Sequence, residues 1–214
     1  MPQVLKEELR GRILEAALGL FAERGLSGTA MGLIAERAGL GTATLYRYYP
    51  GKAELFDAVV PPELAAELER LLERRLKALG RGMLRSGDSG PPRSDEADAL
   101  LEFWVRHRLQ CVVLLDRAEG TAYAHFGERF VALLTASVTA HLRELRPGHK
   151  LSAPRRFVLE RLFENTRRTV AAILEAHADE RALREAVAAF WSYQLPGLRG
   201  FVEAQLAPHE ATEA

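Results

Sequence analysis

The stretch TAMGLIAERAGLGTATLYRYYPGK, residues 29–52, constrains the fold of this chain more than any other part of it. Its apolar and small residues keep the spacing of one helix face as far as Ala38, and Gly39 then interrupts the pattern. Glycine takes a left-handed backbone conformation at little cost, so Gly39 is predicted to end the helix in that conformation. A second short helix is predicted to begin at Gly41 or Thr42. Two short helices joined by a tight, glycine-containing turn form a helix-turn-helix.

The second of these helices is predicted to bury Leu45 and Tyr49, which lie four residues apart. Ala35 suits the point where the two helices cross, because a larger side chain there would push them apart. No acidic residue occurs between Leu40 and Ala53. The outward side chains are hydroxyls, aromatic rings and a guanidinium, which can reach base edges and phosphates in a major groove: Thr42, Thr44, Tyr46, Arg47 and Tyr48. The alternative is an ordinary helical hairpin with a solvated polar face.

Helices are predicted on both sides of this hairpin. A first helix with an apolar stripe is predicted from Leu5 to Arg24. It is expected to pack on the hairpin, because two short helices alone bury too little surface to be stable. Thr29 is predicted to cap the next helix and to contact a phosphate there, because helix N-termini carry a partial positive charge. Gly41 lies at the start of the outward-facing helix, and Lys52 opens a fourth helix.

The segments ILEAALGLFAERG and TAMGLIAERAGLGTATLYRYYPGKAELF, between Arg12 and Val59, resemble the DNA-binding domain of the TetR family of transcriptional repressors. The resemblance implies a three-helix helix-turn-helix domain at residues 1–60 and a larger helical ligand-binding and dimerisation domain at residues 61–214. It also implies that Lys52 contacts the DNA backbone. The chain departs from the family at Thr42-Ala43, where the family often has Lys-Gly, and at Gly32, where it often has a polar or charged residue. Both departures remove contacts to phosphate or backbone.

Composition agrees with a globular protein but says little about nucleic acid. The 214 residues are 48% hydrophobic and 27% charged, and 29 basic residues balance 29 acidic ones. A neutral protein can still present a local recognition surface. The single cysteine, Cys111, suits a reducing cytosol, and no apolar run approaches the roughly 18 residues that span a bilayer. The N-terminus carries charges through its apolar stretch, unlike a signal peptide. We therefore expect a cytoplasmic protein without membrane partners.

The rest of the chain is predicted to be helical, without strands or internal repeats. The pair Pro61-Pro62 is expected to break the helical pattern, because a proline inside a helix removes a hydrogen bond and clashes with the preceding turn. A Gly-, Ser- and Pro-rich loop is predicted from Gly80 to Ser94. Five further helices are predicted at residues 64–79, 95–118, 121–145, 152–177 and 180–206. The fold class is therefore all-α.

The last two helices are predicted to pair the chain with a second copy. Apolar residues cover so wide an arc of residues 180–206 that this helix must bury two sides. Two such helices from each copy would form an intermolecular four-helix bundle, as in the TetR family. The residues expected at the dimer interface are Phe157, Thr166, Val170, Phe190, Trp191, Leu198 and Phe201. The alternative is that both sides are covered within one chain.

A ligand site is predicted around the helix at residues 95–118. Arg108 falls on an apolar stripe there, and a buried guanidinium needs a partner. That partner is either a carboxylate of the chain or the acidic group of an otherwise apolar ligand. The other residues expected to line the site are Trp104, His107, Cys111, Tyr123 and Phe126. His107 and Cys111 have a spacing that permits metal binding, but two ligands do not make a zinc site, so no metal or cofactor is predicted.

The sequence contains none of the common nucleotide-binding, zinc-protease or serine-hydrolase motifs. The predicted function is a DNA-binding transcriptional regulator that binds a near-palindromic operator as a homodimer and is released by a small molecule. That it represses transcription is implied only by the resemblance. The alternatives are a helical enzyme and a protein-binding adaptor, neither of which explains the acid-free outward face.

Overall fold

The structure, a computed structural model, describes residues 3–83 and 94–206. These residues form helices and turns without a strand, which confirms the all-α prediction. In chain order the helices are α1 (Gln3–Arg24), α2 (Met31–Arg37), α3 (Thr42–Tyr48), α4 (Lys52–Val59), α5 (Pro62–Met83), α6 (Asp95–Arg106), α7 (Arg108–Asp116), α8 (Phe126–Leu145), α9 (Ala153–Ala176) and α10 (Glu180–Leu206).

The helix-turn-helix is confirmed at α2 and α3, with Gly39 at φ +66° between them. The Gly39 N–H donates to the Glu36 carbonyl at 3.0 Å, and the Leu40 N–H donates to the Ala35 carbonyl at 2.9 Å. This pair of bonds is a Schellman motif, which satisfies the last carbonyls of α2 and turns the chain sharply. Ala35 is 1% exposed, so no larger side chain fits there without displacing a neighbour.

Helix α1 supplies most of the support for this hairpin. Ile13, Ala17 and Phe21 on its inner face are fully buried, and the Phe21 ring lies 5.5 Å from the ring of Phe56 on α4. Burial of each such apolar side chain stabilises the fold by about 1.5–3 kcal/mol. The pieces α2, α3 and α4 are each eight residues or shorter, so this packing rather than intrinsic helix propensity holds them.

The prolines act as predicted, but the helix that follows them extends further than predicted. Helix α4 ends at Val59, and Pro62 occupies the first position of α5, where its missing N–H costs nothing. Residues 80–83, predicted to lie in a loop, are the last residues of α5 instead. The helix therefore extends beyond the apolar stripe from which its end was predicted. The remainder of the predicted loop, residues 84–93, lies outside the described residues.

The prediction of a single helix at residues 95–118 is wrong, because the helix is interrupted at His107. The backbone there has φ −117° and ψ 36°, which ends α6 and begins α7. The His107 ring lies 4.7 Å from the Phe103 ring of the preceding turn. The next helix also begins later than predicted, at Phe126 rather than Thr121, after turns closed by the Thr121 hydroxyl, which donates to the Ala118 carbonyl at 2.7 Å.

Helix α7 lies at the centre of the C-terminal part. Residues 111–115 are all buried, and α7 packs on α9, α8 and α6 while its other contacts reach α1. The buried core is therefore continuous from α1 to α10. The division at residue 60 falls in the α4–α5 connection and stays a prediction. Within residues 3–83 and 94–206, no helix has both the length and the apolar character needed to cross a membrane.

Candidate functional site

The first candidate site is the outer face of α3. Thr42 and Arg47 are exposed, and Tyr46 keeps 49% of its surface exposed although it is aromatic. Leu45, by contrast, is fully buried and Tyr49 is 6% exposed, so the helix has the orientation that its sequence predicts. The N-cap of α3 is Gly41, which is exposed and has no side chain to cap the first N–H groups of the helix. These N–H groups can therefore donate to an anion.

The remaining residues predicted for this surface differ in exposure. Thr44 and Tyr48 are half-buried, and Tyr48 packs against the core. Lys52 is half-buried too, and its Nζ donates to the Leu26 carbonyl at 2.9 Å, which leaves two of its three donors for another partner. Lys52 thus links the start of α4 to the turn before α2.

Thr29 does not occupy the place predicted for it. It is 1% exposed, and its hydroxyl donates to the Gly25 carbonyl at 2.8 Å and to the Leu20 carbonyl at 3.3 Å. The N-cap of α2 is Ala30, without a side-chain cap bond. The prediction that the Thr29 side chain caps α2 is therefore wrong, because its hydroxyl bonds to carbonyls at the C-terminal end of α1. The phosphate contact at Thr29 stays a prediction.

Two arginines of α1 donate hydrogen bonds to the helix-turn-helix. The Arg10 Nε donates to the Tyr49 hydroxyl at 3.1 Å, and Arg12 donates to the carbonyls of Ala38 and Gly39 in the turn. Hydrogen bonds from a guanidinium to the last carbonyls of a helix are favourable because that end carries partial negative charge. The turn between α2 and α3 is therefore fixed by side chains of α1 as well as by its own glycine.

The second candidate site is a cavity of about 420 Å³ lined by residues of α5, α6, α8, α9 and α10. Volumes of about 300–1,000 Å³ are typical of small-molecule sites. Most of its wall is apolar, and Leu76, Leu101, Phe130, Val138, Phe163 and Val187 are representative. The polar part of the wall includes Arg75, Ser137, His141, Thr166 and Gln194.

Of the six residues predicted to bind a ligand, the structure brings only Trp104 to this cavity. Arg108 points elsewhere: its Nη1 donates to the carbonyls of Leu174 at 2.6 Å and Glu175 at 3.3 Å. It therefore satisfies the C-terminal end of α9. The guanidinium is therefore paired with backbone carbonyls of a distant helix.

The other four predicted residues belong to the core or to domain contacts. Cys111 is fully buried, and burial raises the pKa of its thiol. Burial lowers the pKa of His107, with Arg106 adding to the effect. The Tyr123 ring lies 6.2 Å from the Phe56 ring, and Phe126 is 1% exposed beside Arg129. Among residues 3–83 and 94–206, no group of three or more His, Cys, Asp or Glu side chains is placed to hold a metal ion.

The cavity residues that the sequence analysis missed are spread over α5, α6, α8 and α10. Phe130, Leu134, Val138 and His141 follow one face of α8, and the polar residue at the end of this apolar stripe was the available signal. Arg75 on α5 has its pKa lowered by burial, against the opposing influence of Glu96 and Asp98. A helix at residues 64–79 was predicted, but its pattern alone does not tell which side of it faces a cavity.

The residues predicted for a dimer interface divide into three groups by their exposure. Phe157 is 62% exposed, but Thr166 and Val170 are each 2% exposed, and the Gln194 amide donates to the Thr166 hydroxyl at 2.9 Å. Those two face inward and cannot touch a second copy. Four more are partly buried: Phe190, Trp191, Leu198 and Phe201 pack on the core, and Trp191 and Leu198 also line the cavity.

A different face of α9 and α10 is open. Val158 and Leu162 on α9 are 48% and 41% exposed, and Tyr193 on α10 is 81% exposed. Small or uncharged exposed residues lie at helical spacing from these on the same helices, namely Thr169, Ala172, Ala189, Pro196 and Gly200. We call these residues, with Phe157, the α9–α10 face. At the edge of this surface the Arg161 guanidinium lies over the Phe157 ring, 5.7 Å from its centroid.

Comparison with known proteins identifies the N-terminal part. Residues 13–59 match the family described as bacterial regulatory proteins of the tetR family, and this range contains the α2–α3 hairpin described above. Residues 13–59 therefore form an N-terminal domain of the TetR type. A stretch of 62 residues is 42% identical to the HTH-type transcriptional repressor DrrR1 of Streptomyces coeruleorubidus. This match spans 27% of the chain and 23% of that relative.

Solved structures of TetR-like regulators align with most of the chain. One is a TetR-like transcriptional regulator from Rhodococcus sp. RHA1, at 21% identity and a TM-score of 0.45, covering 96% of this chain and 98% of the other. Another is NalD, the secondary repressor of the MexAB-OprM multidrug efflux pump in Pseudomonas aeruginosa, at 19% identity and a TM-score of 0.36. That alignment covers 94% of this chain and 95% of NalD.

Proposed function

We propose that this chain is a TetR-family transcriptional repressor that binds double-stranded operator DNA through α3. The observation that carries the proposal is the outer face of α3, where Thr42, Tyr46 and Arg47 stand exposed in a segment free of acidic residues. An exposed tyrosine and arginine on a helix of seven residues suit base edges and phosphates in the major groove. Such a regulator works where the DNA is, so the proposed location is the cytoplasm.

The proposed DNA-binding unit is a homodimer formed through the α9–α10 face. Exposed large apolar residues such as Phe157 and Leu162 are unfavourable in water unless another surface covers them. Small residues at Ala189 and Gly200 allow a second pair of helices to approach closely. A two-fold symmetric dimer requires a near-palindromic site, with half-sites about 34 Å or a multiple of it apart.

A small molecule in the cavity is proposed to release the DNA. The segment between α7 and α8 supports this coupling, because the Tyr123 ring lies 6.2 Å from Phe56 in the N-terminal core. Gly120 of the same segment lies close to Ser27, since a Cβ atom at position 120 would be 3.4 Å from the Ser27 hydroxyl oxygen. A molecule that prefers a shifted arrangement of the cavity walls therefore changes the position of the helix-turn-helix.

The direct test is a gel shift with the DNA that flanks the chain's own gene. The expected result is a specific band that weakens steeply with salt, because bound phosphates release counterions. A helical enzyme or a protein-binding adaptor would give no such band. Absence of a specific complex with any flanking fragment at low salt would reject the proposal.

Replacing Lys52 by alanine is expected to weaken DNA binding by about 3- to 10-fold on every sequence tested. The loss of one phosphate contact should also reduce the salt dependence by about one unit in each subunit's site. The measurement is fluorescence anisotropy at several salt concentrations. Lys77→Ala, which removes an exposed lysine from α5, is the control and should change neither quantity. An altered sequence preference in Lys52→Ala would contradict a pure phosphate contact.

Replacing Leu162 by arginine is expected to weaken the dimer at least about 100-fold, because a charge would be buried at the interface without a partner. Sedimentation at micromolar concentration measures the effect. Leu145→Arg is the matched control, since Leu145 is 39% exposed on α8 and Leu162 is 41% exposed on α9. Equal behaviour of the two variants, or a monomeric unsubstituted protein, would reject the proposed interface.

A further inference from the structure

The wall of the cavity carries the side-chain amide of Gln194 in the middle of an apolar stripe of α10. The wall residues nearest to it along this helix are Trp191, Leu195 and Leu198. The Gln194 Nε2 donates to the Thr166 hydroxyl of α9 at 2.9 Å. Thr166 is 2% exposed and forms part of the same wall. The amide is therefore held in place by a buried group of the neighbouring helix.

The Thr166 hydroxyl also fixes which way this amide points. A hydroxyl carries one proton, and that of Thr166 donates to the Leu162 carbonyl of its own helix at 3.0 Å. The hydroxyl can therefore only accept from Gln194. The amide must turn its nitrogen toward Thr166 and its oxygen away from it, since the hydrogen-bond network determines the orientation of an amide.

This orientation leaves the Gln194 oxygen for another partner. Gln194 is half-buried in the cavity wall, and within residues 3–83 and 94–206 no group donates to its Oε1. The oxygen is not sealed inside the protein, unlike the Gln205 Oε1, which is both unpartnered and closed to water. A molecule that fills the cavity displaces water from the Gln194 Oε1. It loses affinity unless it replaces the hydrogen bond that water gives.

That requirement distinguishes a hydroxyl group from other oxygen-containing groups. A hydroxyl can donate to the Oε1 and can also accept from the second N–H of the same amide. A carbonyl or ether oxygen can only accept, and a hydrocarbon does neither, so both leave the Oε1 unpaired. Sites built to bond a hydroxyl reject analogues that lack it for this reason.

We propose that the cavity selects a largely apolar molecule whose hydroxyl group donates a hydrogen bond to the Gln194 Oε1. This inference rests on the proposed role of the cavity as the effector site. The apolar residues around Gln194 bind the body of the molecule, and the amide that Thr166 orients selects its polar group.

Three probes with one ring system separate the contributions. They are 2-naphthalenemethanol, which can donate and accept, 2-(methoxymethyl)naphthalene, which can only accept, and 2-ethylnaphthalene, which does neither. Their affinities for the full chain are measured by equilibrium dialysis. The ratio of alcohol to ether affinity is then compared between variants, so that the different hydration of the free probes cancels.

Gln194→Leu is expected to lower this ratio about 5- to 10-fold, the loss that corresponds to one hydrogen bond. The hydrocarbon should bind this variant at least as tightly as the unsubstituted chain, which also reports that the variant is folded. Leu195→Met is the matched control on the same wall and should change the ratio by less than about 1.5-fold, because it keeps the volume and the apolar character.

Thr166→Val is a second variant, which keeps the amide but removes the group that orients it. It is expected to lower the ratio about 2- to 3-fold, because the oxygen is then no longer preorganised. If Gln194→Leu loses the hydrocarbon as well and is unfolded, Thr166→Val decides: a lowered ratio supports the inference, and an unchanged ratio overturns it.

Three further outcomes would overturn the inference. They are an unchanged ratio in a folded Gln194→Leu, an equal fall of the ratio in Leu195→Met, and no binding of any probe to the unsubstituted chain at its solubility limit. Dialysis needs no DNA, so its result is independent of the gel shift. A chain that binds DNA without the expected discrimination refutes this inference alone. The expected discrimination without DNA binding refutes the proposed function and leaves the cavity chemistry standing.

Discussion

Replacing Arg167 by leucine is expected to lower the free energy of unfolding by about 2–4 kcal/mol. The Arg167 side chain is 10% exposed on α9, and its Nη1 donates to the Leu115 carbonyl and, at 3.1 Å, to the Asp116 carboxylate. Its Nε and Nη2 donate to the two Glu164 oxygens at 3.0 and 2.7 Å. The substitution leaves a buried carbonyl and two carboxylates without their common donor, at the contact of α7 with α9.

Urea denaturation at one fixed protein concentration measures this loss, because dimerisation would otherwise shift the transition. Arg168→Leu is the matched control. Arg168 bonds to the same Glu164 oxygen at 2.9 Å, but its side chain is 67% exposed, and exposed ion pairs contribute at most about 1 kcal/mol. Similar losses in the two variants would mean that burial of Arg167 does not matter to stability.

The ion pair between Arg167 and Glu164 also makes the free energy of unfolding depend on pH, in a direction that the pKa of Glu164 determines. The hydrogen bond from Arg167 is the largest influence that lowers the pKa of Glu164, from 4.5 to about 2, and burial opposes it. The folded state therefore releases this proton more readily than the unfolded chain. The stabilisation is complete above about pH 4.5 and disappears as the pH falls through about 2. In Arg167→Leu this part of the acid dependence should be smaller.

Removing Tyr46 and Arg47 together is expected to weaken operator binding by at least about 100-fold, since a good base or phosphate contact contributes about 1–3 kcal/mol. Both side chains are exposed on α3, so the double alanine variant should keep its helix content and its melting temperature. Arg143→Ala, at an exposed position of α8, is the control for loss of charge.

Anisotropy with a panel of operator variants reads out the double substitution and each single one. Tyr46→Ala or Arg47→Ala should change which base pairs are tolerated, whereas Lys52→Ala should not. If the affinity of the double variant equals that of the unsubstituted protein, α3 is not the recognition helix.

The helix-turn-helix was predictable because its determinants are local. Gly39 stops α2 through its own backbone freedom, and Leu45 and Tyr49 orient α3 by spacing alone. These features act within a dozen residues, so they can be recognised without the rest of the fold. Thr29 was misjudged because its partners, the Leu20 and Gly25 carbonyls, belong to the end of the preceding helix.

The cavity could not be derived in the same way, since residues of five helices from distant parts of the sequence line it. Arg108 lies 66 positions from the Leu174 carbonyl that it binds, and nothing around residue 108 indicates that partner. The break at His107 has no glycine or proline to announce it. Trp191 and Leu198 were predicted at the interface with a partner chain, although both line the cavity.

The break at His107 also bears on how such a protein can acquire a new chemical specificity. Helix α6 carries cavity residues, while α7 carries the fully buried residues that pack on α1 and α9. Because the two are separate helices, substitutions at Leu101 or Trp104 can reshape the binding wall while Cys111 and its neighbours keep the central packing. The fold thereby places residues that can be substituted without unfolding on α6, and residues that the core packing requires on α7. Random mutagenesis confined to α6 should yield altered responses far more often than mutagenesis of α7, where most changes should abolish folding.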